Sequence, residues 1–187
     1  INPGQYAPGF LRDRRPGSNT GPCNILSLRL NLTAMAKQVL PYKDSEQNKK
    51  EQVRRMFDTI SGKYDNLNRL ITFGTDTFWR RRLIRRVSAK NPVSVLDIAT
   101  GTGDLALAFG NTPAREVIGL DISPGMLEVG RKKVVSKGLE KKVRMVLGDS
   151  EALAFEDNSF EAVTVAFGVP DFEDLEKGLS EIHRVLK

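Results

Sequence analysis

Short β-branched apolar runs alternate with stretches of helical spacing over the second half of the chain. The runs are Val93 to Ile98, Glu116 to Ile122, Val143 to Leu147 and Glu161 to Phe167. Between or after them, Leu105 to Gly110, Pro124 to Lys137 and Glu173 to Lys187 read as amphipathic helices. Apolar strands joined by crossover helices predict a parallel sheet covered on both faces, the doubly wound α/β class. Upstream, Val53, Met56, Phe57 and Ile60 recur at helical spacing, as do Trp79, Leu83 and Val87 with Ile84 beside them. Two short helices are expected between Glu51 and Ser88. Gly74, within Phe73-Gly74-Thr75-Asp76, supplies the turn between them, and Asp76 or Thr77 suits the N-cap of the second. Arg80, Arg81, Arg82, Arg85 and Arg86 fall on that helix's polar face.

Residues 1–34 hold four Pro and four Gly with no apolar periodicity before Ile25, so they are expected to be a disordered or non-native lead. The first methionine is Met35, which suggests a natural start there. The expected organisation is a lead over 1–34, an N-terminal helical cap over 35–91 and an α/β core over 92–187. With 187 residues, 40% of them hydrophobic, the chain can bury one substantial core. Its single cysteine, Cys23, and single histidine, His183, give no Cys-based zinc set and little His-based metal chemistry, and they suit a cytoplasmic protein. No apolar run approaches the ~20 residues of a membrane span, so any membrane contact is expected to be peripheral. The net charge of +6 is uneven, basic before Pro92 and acidic after it. A basic N-terminal portion fits nucleic acid, an anionic membrane surface or a solvated helical face.

The sharpest local signal is Asp97-Ile98-Ala99-Thr100-Gly101-Thr102-Gly103-Asp104, running from the first strand into a helix. Gly101 and Gly103 permit a tight turn and a close approach by a ligand. Read as Gly-x-Gly-x-x-Ala, with Asp121 after the second strand, the loop fits a dinucleotide fingerprint. Three features favour S-adenosylmethionine over NAD. Asp97 ends its strand four residues before Gly101, where it can serve the ligand's methionine end. Asp104, opening the next helix, would repel a pyrophosphate. Gly148-Asp149-Ser150 closes the third strand with a carboxylate suited to an adenine amino group. Each acid alone would serve as a loop or helix cap, but together they sit where open α/β sheets bind ligands.

The run Arg55-Met56-Phe57-Asp58-Thr59-Ile60-Ser61-Gly62-Lys63-Tyr64-Asp65-Asn66-Leu67-Asn68, then Phe73-Gly74, Trp79, the glycine loop, Gly119-Leu120-Asp121-Ile122-Ser123-Pro124-Gly125-Met126-Leu127, Gly148 to Leu153 and Ala166-Phe167-Gly168-Val169, resembles the C-methyltransferases of menaquinone and ubiquinone biosynthesis. The resemblance runs from about Lys50 to the C-terminus. It implies a class I methyltransferase fold and S-adenosylmethionine-dependent methylation of a polyprenylated quinol, with menaquinone-type wording around Asp121. Thr102, Asp121, Asp149 and Ser150 fall on the family's cofactor contacts, while Ala166 stands where a serine is frequent. The family continues the Phe-Gly segment with Arg-Asn, and this chain has Pro170-Asp171. Either Asp171 or a residue such as Tyr64 takes the proton-accepting role, or turnover is impaired, in which case an Arg-Asn pair would raise it at least about tenfold.

The chain stops at Lys187 where the family continues with further strands, so a C-terminal truncation is expected. Phe78, Trp79 and the arginines from Arg80 to Arg86 are expected to offer a peripheral contact at the inner face of the membrane, in preference to nucleic acid. A homodimer is a further expectation. A non-catalytic nucleotide-binding remnant and an NAD-dependent oxidoreductase are the rival readings.

Overall fold

The structure, a computed structural model, describes residues 48–65, 68 and 75–187. The expected lead over 1–34, with Cys23, the Met35 start and the Phe73-Gly74 turn lie outside the described residues. Nine elements position the site: helix α1 (Lys49–Ile60), helix α2 (Thr75–Ser88), strand β1 (Ser94–Ile98), helix α3 (Asp104–Gly110), strand β2 (Glu116–Asp121), helix α4 (Pro124–Ser136), strand β3 (Val143–Leu147), strand β4 (Ala162–Val165) and helix α5 (Leu175–Val185).

The four strands form one parallel sheet in the order β3-β2-β1-β4. The first strand lies inside it and is buried at every position, which is why its sequence does not alternate strictly between apolar and polar residues. Side chains leave alternate faces of a strand, and two cores follow. On one face Val95, Val117, Val143 and Met145 pack with Leu105, Phe109, Leu127 and Val134, and Leu83, Ile84 and Val87 of α2 lean on the same cluster. On the other, Leu96, Ile98, Ile118 and Leu120 meet Phe160, Phe172 and Val185. Helices therefore cover both faces.

Local chemistry explains the helix starts. Ser123 caps α4 by accepting from the Met126 N–H, with Pro124 in the first turn, and Asp174 caps α5 by accepting from the Lys177 N–H. At the start of α2 the expectation needs correcting. The helix begins at Thr75, so Asp76 lies inside the first turn rather than capping it, nearly fully buried and paired with Arg80 at 3.2 Å. Arg80 also reaches Asp104 at 3.4 Å, which removes it from the solvated face assigned to it; Arg81, Arg82, Arg85 and Arg86 remain exposed. The fourth strand ends at Val165, two residues before the expected end, because Phe167 turns into the left-handed region with φ of 66°.

Candidate functional site

Three loops leave the carboxyl ends of β1, β2 and β3 side by side. In the first, Ala99, Gly101 and Gly103 have φ of 52°, 57° and 82°, so the chain coils tightly as it leaves the strand. The two glycines differ in purpose. A Cβ on Gly103 would lie 2.1 Å from the Met145 methyl, so that glycine serves packing, whereas a Cβ on Gly101 would meet nothing within 4 Å. Gly101 faces open space. Its N–H donates to Asp121 Oδ2 at 2.7 Å, and the other Asp121 oxygen accepts from the Ser123 N–H at 2.9 Å, so one carboxylate ties the first loop to the start of α4.

The first helix roofs these loops and is fastened to each side of them. Near its C-terminal end, Asp58 accepts from the Ser123 hydroxyl at 2.6 Å and from the Gly125 N–H at 2.9 Å. Lys50, near its start, donates to Asp149 at 2.7 Å and Glu151 at 3.1 Å. The neighbouring Lys49, 7% exposed, donates to the carbonyl oxygens of Pro170 at 2.8 Å and Phe172 at 2.6 Å, in the segment after β4. Such an ammonium is tolerated in the interior because its protons are taken up by carbonyls. Glu151, also buried, passes the tie onward by accepting from the N–H groups of Glu173 and Asp174.

Beneath this roof lies a concave cleft, part of it open to solvent. Six of the residues singled out in the sequence line it: Tyr64, Gly101, Asp121, Asp149, Ser150 and Asp171. Asp97, Thr102 and Gly103 do not. Thr102 is turned away, its hydroxyl donating to Asp65 at 2.6 Å. Lys50, Phe57, Glu151 and Phe172 also line the cleft; Phe57 and Glu151 stand in the motifs quoted above without a site role, and nothing in the pattern singled out Lys50 or Phe172. At its edge Phe167, 68% exposed, meets Trp79 edge to face at 5.0 Å.

The acids in the cleft are differently tuned. Burial pushes the Asp121 carboxyl up, against the pull of the N–H groups of Ser123, Gly101 and Ile122. At Asp149 burial also acts upward, but the Lys50 ammonium and the Glu151 N–H outweigh it and hold the carboxyl below its ordinary range. Asp171 is raised by burial, with Lys49 drawing it down and Asp121 adding to the rise. Tyr64 is raised by burial and by the carboxylates of Asp121, Asp171, Asp65 and Asp104, so its phenol keeps its proton at neutral pH.

Asp97 sits behind the glycine loop, accepting from the hydroxyls of Thr100 at 2.6 Å and Thr164 at 2.8 Å. Complete burial pushes its carboxyl up to about 6, despite these two donors. The folded state thus binds this proton more tightly than the unfolded chain does. Its contribution to stability is intact below the ordinary carboxylate value and falls as pH rises to about 6, beyond which it is constant. The pH dependence is tested by denaturant unfolding of the wild type and Asp97→Asn. The wild type should lose about 2 kcal/mol relative to the variant between pH 4 and 7; parallel curves would show that Asp97 ionises at no cost.

The model of the ubiE/COQ5 methyltransferase family matches residues 45–187. A Bacteroides fragilis protein named demethylmenaquinone methyltransferase is 47% identical over 151 residues, covering 80% of this chain and 61% of the relative. A Geotalea uraniireducens protein named ubiquinone/menaquinone biosynthesis C-methyltransferase UbiE is 43% identical over 141 residues, covering 74% and 60%. The chain thus spans about three fifths of the length of the curated relatives it matches. Among solved structures, the YcgJ protein of Bacillus subtilis superposes with a TM-score of 0.55 at 36% identity, covering 58% of this chain and 45% of that one.

Proposed function

The chain belongs to the ubiE/COQ5 methyltransferase family and has the class I S-adenosylmethionine-dependent methyltransferase fold, and from that premise we propose that its cleft methylates a ring carbon of a polyprenylated quinol, a demethylmenaquinol in the first instance. The observation that carries this reading is one cleft in which Asp121 and Asp149, each at the end of a parallel strand, share a chamber with Tyr64 and Asp171. The donor set fits the cofactor. Gly101 leaves its space unfilled, Asp121 offers a carboxylate for ribose hydroxyls, and Asp149 with Ser150 offers acceptors for an adenine amino group. S-adenosyl-L-methionine, when bound, supplies an electrophilic methyl group carried on a sulfonium.

The chain's own residues supply positioning and proton transfer. Asp171 accepts the proton of a quinol hydroxyl, which raises electron density on the adjacent ring carbon, the one that takes the methyl. Methyl transfer leaves a ring ketone; the methylated carbon gives its proton to water at the open side of the cleft while Asp171 returns its own proton to the ring oxygen, and the ring regains its aromaticity. Tyr64, its phenol protonated, donates to the developing quinol oxyanion. Val53 and Phe57 of the roof and Phe172 keep water from the reacting centre. Naphthoquinol and benzoquinol differ in ring width. Incubating the protein with each, and identifying the ring-methylated product by mass spectrometry, decides between them; the naphthoquinol should be preferred, and methylation of the benzoquinol alone would assign the chain to the ubiquinone branch named in the Geotalea relative.

Among the described residues no helix is long and apolar enough to cross a membrane. A quinol with a polyprenyl tail resides in the bilayer, and the second helix presents exposed Arg81, Arg82, Arg85 and Arg86 together with Phe78, 71% exposed. This face rests on anionic lipid at the inner surface of the membrane. Each arginine near such a surface contributes about 1 kcal/mol. Replacing the four with Gln should therefore weaken binding to phosphatidylglycerol vesicles at least a hundredfold in low salt, on the order of 3 kcal/mol. Wild-type binding that is indifferent to salt, or tighter to duplex DNA or tRNA than to vesicles, would contradict it.

A further inference from the structure

Lys133 of α4 stands away from the cleft, yet it joins three elements. Its ammonium donates to the Thr102 hydroxyl at 2.9 Å and to Asp104 at 2.8 Å, and it pairs with Asp65. Thr102 in turn donates to Asp65 Oδ1 at 2.6 Å, so ammonium, hydroxyl and carboxylate close a triangle. Beyond it, Asp104 meets Arg80, which meets Asp76. The polar chain therefore runs from the segment following α1, across the glycine loop, to α2.

Sequence neighbours give the triangle its meaning. Asp65 follows Tyr64, and Thr102 follows Gly101; Tyr64 and Gly101 both line the cleft. The two anchored residues sit outside the cleft while their immediate predecessors sit inside it. Thr102 is 3% exposed and is absent from the cleft lining, while its hydroxyl donates to Asp65 and accepts from Lys133, so both of these bonds go to the triangle.

We propose that Lys133, Asp65 and Thr102 form a positioning latch that holds the Tyr64 segment and the glycine loop in register, so that Thr102 serves cofactor binding through Asp65 and Lys133 rather than by touching the cofactor. The ligand side of this inference rests on the reading of the cleft as an S-adenosylmethionine site. The latch itself does not.

Two measurements separate the two. Amide hydrogen exchange of the whole 187-residue chain without ligand should speed at Gly101 to Asp104 in Lys133→Met and in Asp65→Ala, while the β3 amides keep their rates. Unchanged exchange in the loop overturns the latch. Titration with S-adenosylhomocysteine should then show Thr102→Val and Asp65→Ala each weakening affinity about tenfold, with the double variant no weaker than either, because partners in one network do not add. Thr102→Ser, which keeps the hydroxyl, should bind like the wild type. A Thr102→Val loss that persists in full on the Asp65→Ala background overturns the proposal, since it means that Thr102 touches the ligand directly. If the loop exchange speeds while the wild type fails to bind S-adenosylhomocysteine, the latch stands and the reading of the cleft falls.

Discussion

Asp171→Asn should lower turnover of a demethylmenaquinol by about two to three orders of magnitude, the usual scale for loss of a general base, with kcat falling far more than KM rises. The residue lines the cleft beside Tyr64, in a segment brought close to the glycine loop: a Cβ on Gly168 would lie 2.2 Å from that of Ala99. Burial raises the Asp171 carboxyl, which makes it a stronger base than an ordinary carboxylate, and the Lys49 ammonium limits the rise. Only the ionised form accepts a proton, so the rate should fall as pH drops through a value above the ordinary carboxylate range. Lys49→Met removes the charge that draws Asp171 down and should move this acid limb to higher pH. Tyr64 is a poor alternative base, because its neighbouring carboxylates make its phenolate costlier to form. The rival reading of Pro170-Asp171 as an impaired loop makes the opposite forecast for Pro170→Arg with Asp171→Asn, a rise of at least about tenfold. On the present reading that double variant is slower than the wild type, and a faster one would displace Asp171 from its role.

The second large effect belongs to Asp121. Its two oxygens hold the N–H groups of Gly101 and Ser123, so Asp121→Ala withdraws the ribose acceptor and also releases the loop that faces the ligand. Hydrogen bonds to a charged group are worth roughly 1.5 to 3 kcal/mol, so S-adenosylhomocysteine affinity should drop at least tenfold and up to about 150-fold in calorimetry. Asp121→Asn retains one acceptor and should fall between. Equal affinities for the wild type and Asp121→Ala would remove the carboxylate from the site.

Most of the sheet could be read from the chain because its inner strands, β1 and β2, are buried on both faces. Val95 to Ile98 carries that burial as apolar residues interrupted by one acid, and Ser123-Pro124 marks the start of α4 by cap and fixed φ alone. The roof was harder. Lys49 and Lys50 belong to a polar stretch that looks like a solvated lead, and their partners lie about a hundred residues away, in carbonyls and carboxylates that exist as a site only once the sheet has formed. Asp58 is the same case. On a helix it reads as part of a polar face, and only folding brings it to the Gly125 N–H. Thr102 is the converse case: its place in the glycine loop argues for the ligand, while Asp65 and Lys133, distant in sequence, engage its hydroxyl. Arg80 was drawn from the solvent by Asp104 on another element, which helical periodicity cannot report, as well as by Asp76 one turn before it, which the i,i+4 spacing does show.

The central claim, that the cleft beneath α1 is an S-adenosylmethionine site, is tested most directly by the hydrogen-exchange footprint of S-adenosylhomocysteine on the whole chain. Saturation should slow exchange in the loops after β1, β2 and β3, at Gly101 to Gly103, Ile122 and Gly148 to Glu151, and in the roofing helix, while the exposed arginine face of α2 stays as it was. An unchanged pattern at saturating ligand, or the same protection from NADH and none from S-adenosylhomocysteine, would contradict it.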